Sequence, residues 1–598
     1  MNMDKYQDLV TIVDKIREEA PTSYRRYMPD ASEIEKLNQA RARAFIHLFL
    51  KVRFGITDFL LRESYITDDV GDGGIDGYYI DEDLKILYFI QSKFRATSSN
   101  FEKKEITFEE LLSMDIQRIS EGESLSETGQ KYNEKILKFI TALQNISDLP
   151  KYERKVILLA NVKNTLQLKL SKLTGGYKVD IYNYERCYAE LVFPLVSGTY
   201  YNISELKITI NVDRNSAGHR IQYYPSTKHF ECTVNALFVP TLEIAKILSK
   251  YKNSILKFNP RSYLDLSSGS INSKIARSIT DITTNEFALF NNGITMLSDD
   301  TVYSDKVGKK NKADVIITNP QIINGGQTAY TLSVLYDEYV KNNATSVFEG
   351  KEVLLKIISF NDESSPTEDI NGKKLKLIED ISIATNQQSP VTEADRRAND
   401  KVQIELQKAI FEEFGLYYER KRGEFGDGIK QGYINRSKII DRDQLLRVCL
   451  AVQNKPSESR GGSIQNYYIK KNFDNILPDI SDYRKYIFGY KTFEKIPSLG
   501  HVSHNISHFA KYAITCILGN IFDEKIKTEN FDEKIMEELI SVTSKWDAFE
   551  SYVRNQKSNN PYFREIYDQV TGQKLIETNW SGYYKGGTLI NDLRRYFF

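Results

Sequence analysis

The stretch Gly71-Asp72-Gly73-Gly74-Ile75-Asp76-Gly77 opens onto two apolar runs, Tyr78-Tyr79-Ile80 and Ile86-Leu87-Tyr88-Phe89-Ile90. They are separated by the polar Asp81-Glu82-Asp83 and followed at once by Gln91-Ser92-Lys93. Two β-prone runs around a short polar turn predict a β-hairpin. Side chains alternate along a strand, so Gln91 and Lys93 must point the same way. If the register brings Asp76 to that face, a carboxylate, an amide and an ammonium converge. Such a group can hold a divalent cation beside an activated water.

The alternation continues around this hairpin. A polar, helical arm is expected over residues 1–30. A helix follows from Ser32, with Ala40, Ala44, Phe45, Leu48, Phe49 and Val52 at helical spacing and Gly55 at its end. Amphipathic segments at 108–120 and 132–143 and strand-like runs at 155–160 and 177–182 complete an α/β unit ending near residue 200. A mixed sheet with flanking helices is the expected architecture.

At 598 residues several domains are required. The expected boundaries are an amino-terminal arm (1–30), the sheet-containing domain (31–200), a linker (201–230), an α+β region (231–450) and a mainly helical carboxy-terminal part (451–598). Four scattered cysteines suggest neither zinc nor a disulfide framework. No apolar run reaches membrane-span length and no signal-peptide pattern opens the chain, so no membrane and a cytoplasmic location are expected. The net charge of zero neither favours nor excludes a nucleic-acid partner, because a local basic groove decides that.

Phosphodiester hydrolysis needs a metal and a positioned cation. In that chemistry Asp76 and Gln91 would be metal ligands and Lys93 the group that positions water or stabilises charge, with Mg2+ (or Mn2+) as cofactor. Set against this is a plain hairpin in which Asp72 and Asp76 only cap and solubilise. A glutamine and a lysine on one face of an apolar strand lack a packing rationale, which favours the chemical reading.

At these residues the sequence resembles the PD-(D/E)XK nuclease superfamily and its Mrr-like branch, in Gly74-Ile75-Asp76 followed by Gln91-Ser92-Lys93. The resemblance implies a restriction-endonuclease-like fold and metal-dependent cleavage of DNA, less often RNA. One departure stands out. Related domains carry a glutamate after a phenylalanine on the first helix, and here Ile46 follows Phe45. Glu63, Asp72 or His47 are the candidates to replace that ligand.

Two Asn/Gly-rich turns mark the second half. Phe290-Asn291-Asn292-Gly293-Ile294-Thr295 and Asn324-Gly325-Gly326-Gln327-Thr328 are candidates for a polar pocket built around Asn291, Asn292, Asn324 and Gln327, suited to an anion or nucleotide. Tyr417-Tyr418-Glu419-Arg420-Lys421-Arg422 sets three cations beside aromatic residues, a candidate phosphate- or base-contacting patch. Each also has a bland reading as a hairpin turn or a solvated face. His501, His504 and His508 share a helical face, and an amphipathic helix is favoured there over a metal site.

Together with Asn386-Gln387-Gln388, these blocks resemble the AIPR (abortive infection phage resistance) family over about residues 230–450. The resemblance implies bacterial antiphage defence. The leading expectation is a defence nuclease whose second half senses a phage-derived or nucleotide trigger or regulates cleavage. The competing expectation is a non-cleaving nucleic-acid or nucleotide sensor with an inactive nuclease-like domain. A homo-oligomer stays open.

Overall fold

The computed structural model describes residues 3–598, apart from 83, 113, 163–169, 173, 201–205, 214–218, 229–230, 260–269, 306–311, 342–343, 361–375, 379, 382–383, 385–391, 498–508 and 568–573. The Asn386–Gln388 block and all three members of the histidine cluster lie outside the described residues. The chain divides into two compact units, one of residues 1–385 with 423–436, the other of 386–422 with 437–598.

In the first unit, helix α1 (Met3–Arg17) is not the polar arm expected. Leu9, Ile12, Val13 and Ile16 form a fully buried stripe, and α1 packs on α2 (Ile34–Phe54). Asp14 of α1 and Arg41 of α2 meet across the two helices in a two-pronged pair at 2.9 and 2.7 Å. Helix α2 buries Phe45, Ile46, Leu48, Phe49 and Leu50. Each such side chain removed from water contributes roughly 1.5–3 kcal/mol.

The hairpin forms as expected. Strand β1 (Gly77–Asp81) pairs antiparallel with β2 (Ile86–Ser92), Gly77 opposite Ile90 and Tyr79 opposite Tyr88. Strand Glu153–Leu159 then adds parallel to β2, and Lys178–Ile181 parallel to that, giving a four-stranded mixed sheet. Phe54 of α2 stacks on Tyr79 on one face, and Phe139 of helix Glu134–Gln144 stacks on Tyr78 on the other. The 108–120 segment is two short helices, Phe108–Leu112 and Ile116–Ser120, with Asp115 between them donating its N–H to the Gly73 carbonyl.

The expected linker, 201–230, contains structure that the turn residues concealed. Lys207–Asp213 is a strand that alternates buried and exposed residues, and it pairs along its whole length with Lys312–Thr318 in a three-stranded sheet. Ile221–Tyr223 forms the edge of a five-stranded sheet containing Cys232–Pro240, Glu352–Phe360, Ile294–Ser298 and Gln321–Asn324. The partner of Lys207–Asp213 lies about a hundred residues further along the chain, which local composition does not report.

The second unit is mainly helical. Arg442–Val452 lies at its centre and packs on Tyr483–Lys495 and Lys511–Ile521, so the expected boundary at 450/451 falls inside one hydrophobic core. Among the described residues no helix is long and apolar enough to cross a membrane.

Candidate metal centre

The loop from Thr67 to Asp76 is closed at its base. Thr67 and Asp68 both donate their N–H groups to the Asp76 carbonyl, at 3.0 and 3.1 Å, and Thr67 Oγ1 donates to the Ile75 carbonyl. Between these ends the chain turns back through Gly71, Gly73 and Gly74, with φ of 80°, 63° and 70°. That left-handed backbone is costly for any residue with a Cβ, so the glycine-rich sequence is what the loop requires. A Cβ on Gly73 would also meet the Tyr132 ring at 2.9 Å.

This folding brings carboxylate oxygens of Asp68, Asp72 and Asp76 within 4.8 Å of one another. Each side chain is held by a fixed donor. Ser92 N donates to Asp76 Oδ2 at 2.6 Å, Gly74 N donates to Asp72 Oδ1 at 2.8 Å, and Arg43 Nε lies 3.2 Å from Asp68 Oδ2. Arg43 also donates to the Asp68 carbonyl through Nη2 and Nε, at 2.8 and 3.3 Å. Burial pushes the Asp76 carboxyl up to about 7, and the Asp68 and Asp72 charges add to this against the pull of the Ser92 N–H and Lys93. Burial likewise raises Asp72 to about 6. Three carboxylates gathered with so little compensating charge suit a divalent cation.

Asp76 straddles Gln91. Its N–H bonds the Ile90 carbonyl at 2.9 Å while its carboxylate takes the Ser92 N–H. Gln91 is only 2% exposed. Its Nε2 donates to the Glu110 carbonyl at 3.3 Å, and its Oε1 is buried without a hydrogen-bond partner. A buried amide oxygen without a donor or a cation is costly. Lys93 extends past β2, its N–H bonding the Leu159 carbonyl and its Nζ 3.6 Å from Glu110 Oε1. Gln91 and Lys93 thus reach the same side, as alternation demands.

Of the other expected ligands, Asp72 joins the group, but Glu63 and His47 do not. Both sit in a separate buried network. Arg62 Nε can only donate, so its 3.2 Å contact makes His47 Nδ1 the acceptor and leaves the proton on Nε2. His47 Nε2 and the Tyr27 hydroxyl meet Glu63 Oε2, and Lys135 Nζ meets Glu63 Oε1 at 2.9 Å. Burial pushes His47 down to about 4. Burial works to raise Glu63, yet its His47, Tyr27 and Lys135 partners hold it at about 2. Neither side chain is available to a cation. Ile46 is buried, its Cγ2 3.3 Å from where a Cβ on Gly77 would stand, so α2 contributes no ligand oxygen there. Asp68 escaped sequence reasoning; the spacing Asp68, Asp72, Asp76 was its one signal.

The two Asn/Gly turns do meet. Thr295 pairs with Asn324, and a Cβ on Gly325 would lie 2.6 Å from the Gly293 carbonyl oxygen. Asn291 Oδ1 accepts from Gly293 N and its Nδ2 donates to Thr328 Oγ1, while Asn324 Oδ1 accepts from Gly325 N. Asn291 and Asn324 therefore shape their own turns. Gln327 lies in the first turn of helix Gly326–Lys341, and Asn292 is exposed. The cationic run turns inward. Arg420 is held by Gln407 Oε1 and the Ala398 carbonyl, both at 2.8 Å, and Lys421 is buried. Of the three cations Arg422 is exposed, Arg420 half-buried and Lys421 buried.

A family model described as AIPR protein matches residues 256–584. The match begins later than the expected 230 and runs far beyond 450, taking in most of the helical carboxy-terminal part. No curated protein and no solved structure matches the chain.

Proposed function

The chain belongs to the AIPR family, and from that premise we propose that it is an antiphage defence effector whose amino-terminal sheet domain is a metal-dependent nuclease of the PD-(D/E)XK type. The observation that carries the reading is the orphaned Oε1 of Gln91, the residue between the two, Ile90 and Ser92, that the buried Asp76 bonds. Asp76 and Gln91 are the residues that would hold Mg2+ or Mn2+. A bound cation of that kind polarises a phosphodiester and lowers the pKa of its water.

The chain's own groups supply the rest. The Ser92 N–H fixes Asp76, and the Glu110 carbonyl fixes the Gln91 amide. The Lys93 ammonium carries the positive charge that would orient the attacking water and offset charge developing on phosphate. DNA is the favoured substrate. The AIPR region, in this reading, senses a trigger or restrains cleavage.

The test is cleavage of DNA and RNA by the full chain with Mg2+. Lys93→Ala should lower the rate by about 10²-fold or more, the scale of a lost catalytic proton-handling or charge-stabilising group. Undiminished activity in both Lys93→Ala and Asp76→Ala would sink the proposal.

A further inference from the structure

We propose that Asp68 and Asp72 bind the divalent cation together with Asp76 and the Gln91 amide oxygen, so that the glycine loop supplies the ligands α2 does not. The proposal rests on the same cation that the nuclease reading needs, but not on cleavage.

Two independent observations carry it. The first is convergence. Loop closure at the Asp76 carbonyl and the three left-handed glycines set the three carboxylates within 4.8 Å. Like charges that close repel unless a cation lies among them. The second is the Gln91 side chain, 2% exposed and with Oε1 unmatched, on the residue between Ile90 and Ser92, to which Asp76 bonds through its N–H and its carboxylate respectively. An all-oxygen set of carboxylates and an amide is the donor chemistry of Mg2+ and Mn2+, not of zinc or copper. Arg43 holds Asp68 by its carbonyl and by Oδ2, placing the residue while partly neutralising it.

Mn2+ alone is the probe. Calorimetry or the electron paramagnetic resonance of free Mn2+ reports binding to the full chain without nucleic acid. Asp68→Asn and Asp72→Asn should each weaken binding by at least about tenfold. Asp69→Asn, an exposed neighbour outside the group, should leave Mn2+ binding in place. Wild-type affinity in the Asp68→Asn, Asp72→Asn double variant overturns the proposal. Should a variant not fold, carbodiimide labelling of the wild-type chain decides instead. Mn2+ should protect Asp68 and Asp72 from modification, and equal labelling with and without Mn2+ overturns it. Loss of cleavage with Mn2+ binding intact and Asp68-dependent refutes only the nuclease reading.

Discussion

Glu110 holds Lys93 and Gln91 at once, the ammonium at 3.6 Å from its carboxylate and the amide through its backbone carbonyl. Neither the motif nor its spacing names residue 110. The carboxylate is itself fixed by the Thr107 N–H at 2.8 Å and the Thr107 hydroxyl.

Substituting Glu110 by Gln should separate these two roles. Gln91 keeps its carbonyl partner, while Lys93 loses an opposing charge. The pair is partly exposed and longer than a hydrogen bond, so thermal stability should change by less than about 1 kcal/mol. Cleavage should persist and its salt dependence should shift. A collapse in rate equal to that of Lys93→Ala would show that Glu110 does more than restrain the lysine.

Stability against pH carries opposed signals, from Asp76 and Asp72 on one side and His47 on the other. Burial pushes the Asp76 carboxyl from its ordinary value of 3.8 up to about 7 in the fold. Between those values the folded chain keeps a proton the unfolded chain has lost, so stability falls as pH rises from about 4 to about 7. His47 works the other way. Its value drops from 6.5 to about 4 on folding, so the unfolded chain gains a proton first and stability falls as pH drops through that window. In chelator, the wild-type profile is therefore flattened. The Asp72→Asn, Asp76→Asn double variant should expose loss of stability on acidification, and His47→Gln should expose a gain, both read from melting temperature between pH 4 and 7.

The buried network should be structural only. Glu63→Ala removes the carboxylate opposite Lys135 and His47, leaving Lys135 only the Ile66 carbonyl and His47 Nε2 only the Tyr27 hydroxyl, a change worth about 3–5 kcal/mol when a buried ion pair is broken. Mn2+ binding should be unaffected in whatever fraction stays folded. A specific loss of Mn2+ affinity at full stability would return Glu63 to the metal centre.

Gly325→Ala tests the meeting of the two Asn/Gly turns. The new Cβ would face the Gly293 carbonyl oxygen at 2.6 Å and the Ile294 Cα at 2.9 Å, on a backbone with φ of 77°. Destabilisation of about 2 kcal/mol or more is expected in chemical denaturation. A neutral effect would mean that the turns part without cost.

The sequence by itself determined the local elements whose pattern is local. The hairpin, its alternation and the convergence of Gln91 with Lys93 follow from period two and a polar turn. The family was legible too, in the Asn/Gly blocks. Tertiary structure decided what depends on partners far along the chain. It made α1 a core helix through Asp14 and Arg41, and it turned the expected linker into a strand paired with Lys312–Thr318. It drew Arg420 and Lys421 inward. It also separated Glu63 and His47 from Asp76 while bringing Asp68 in, because closure of a loop on one carbonyl sets distances that residue spacing alone does not encode.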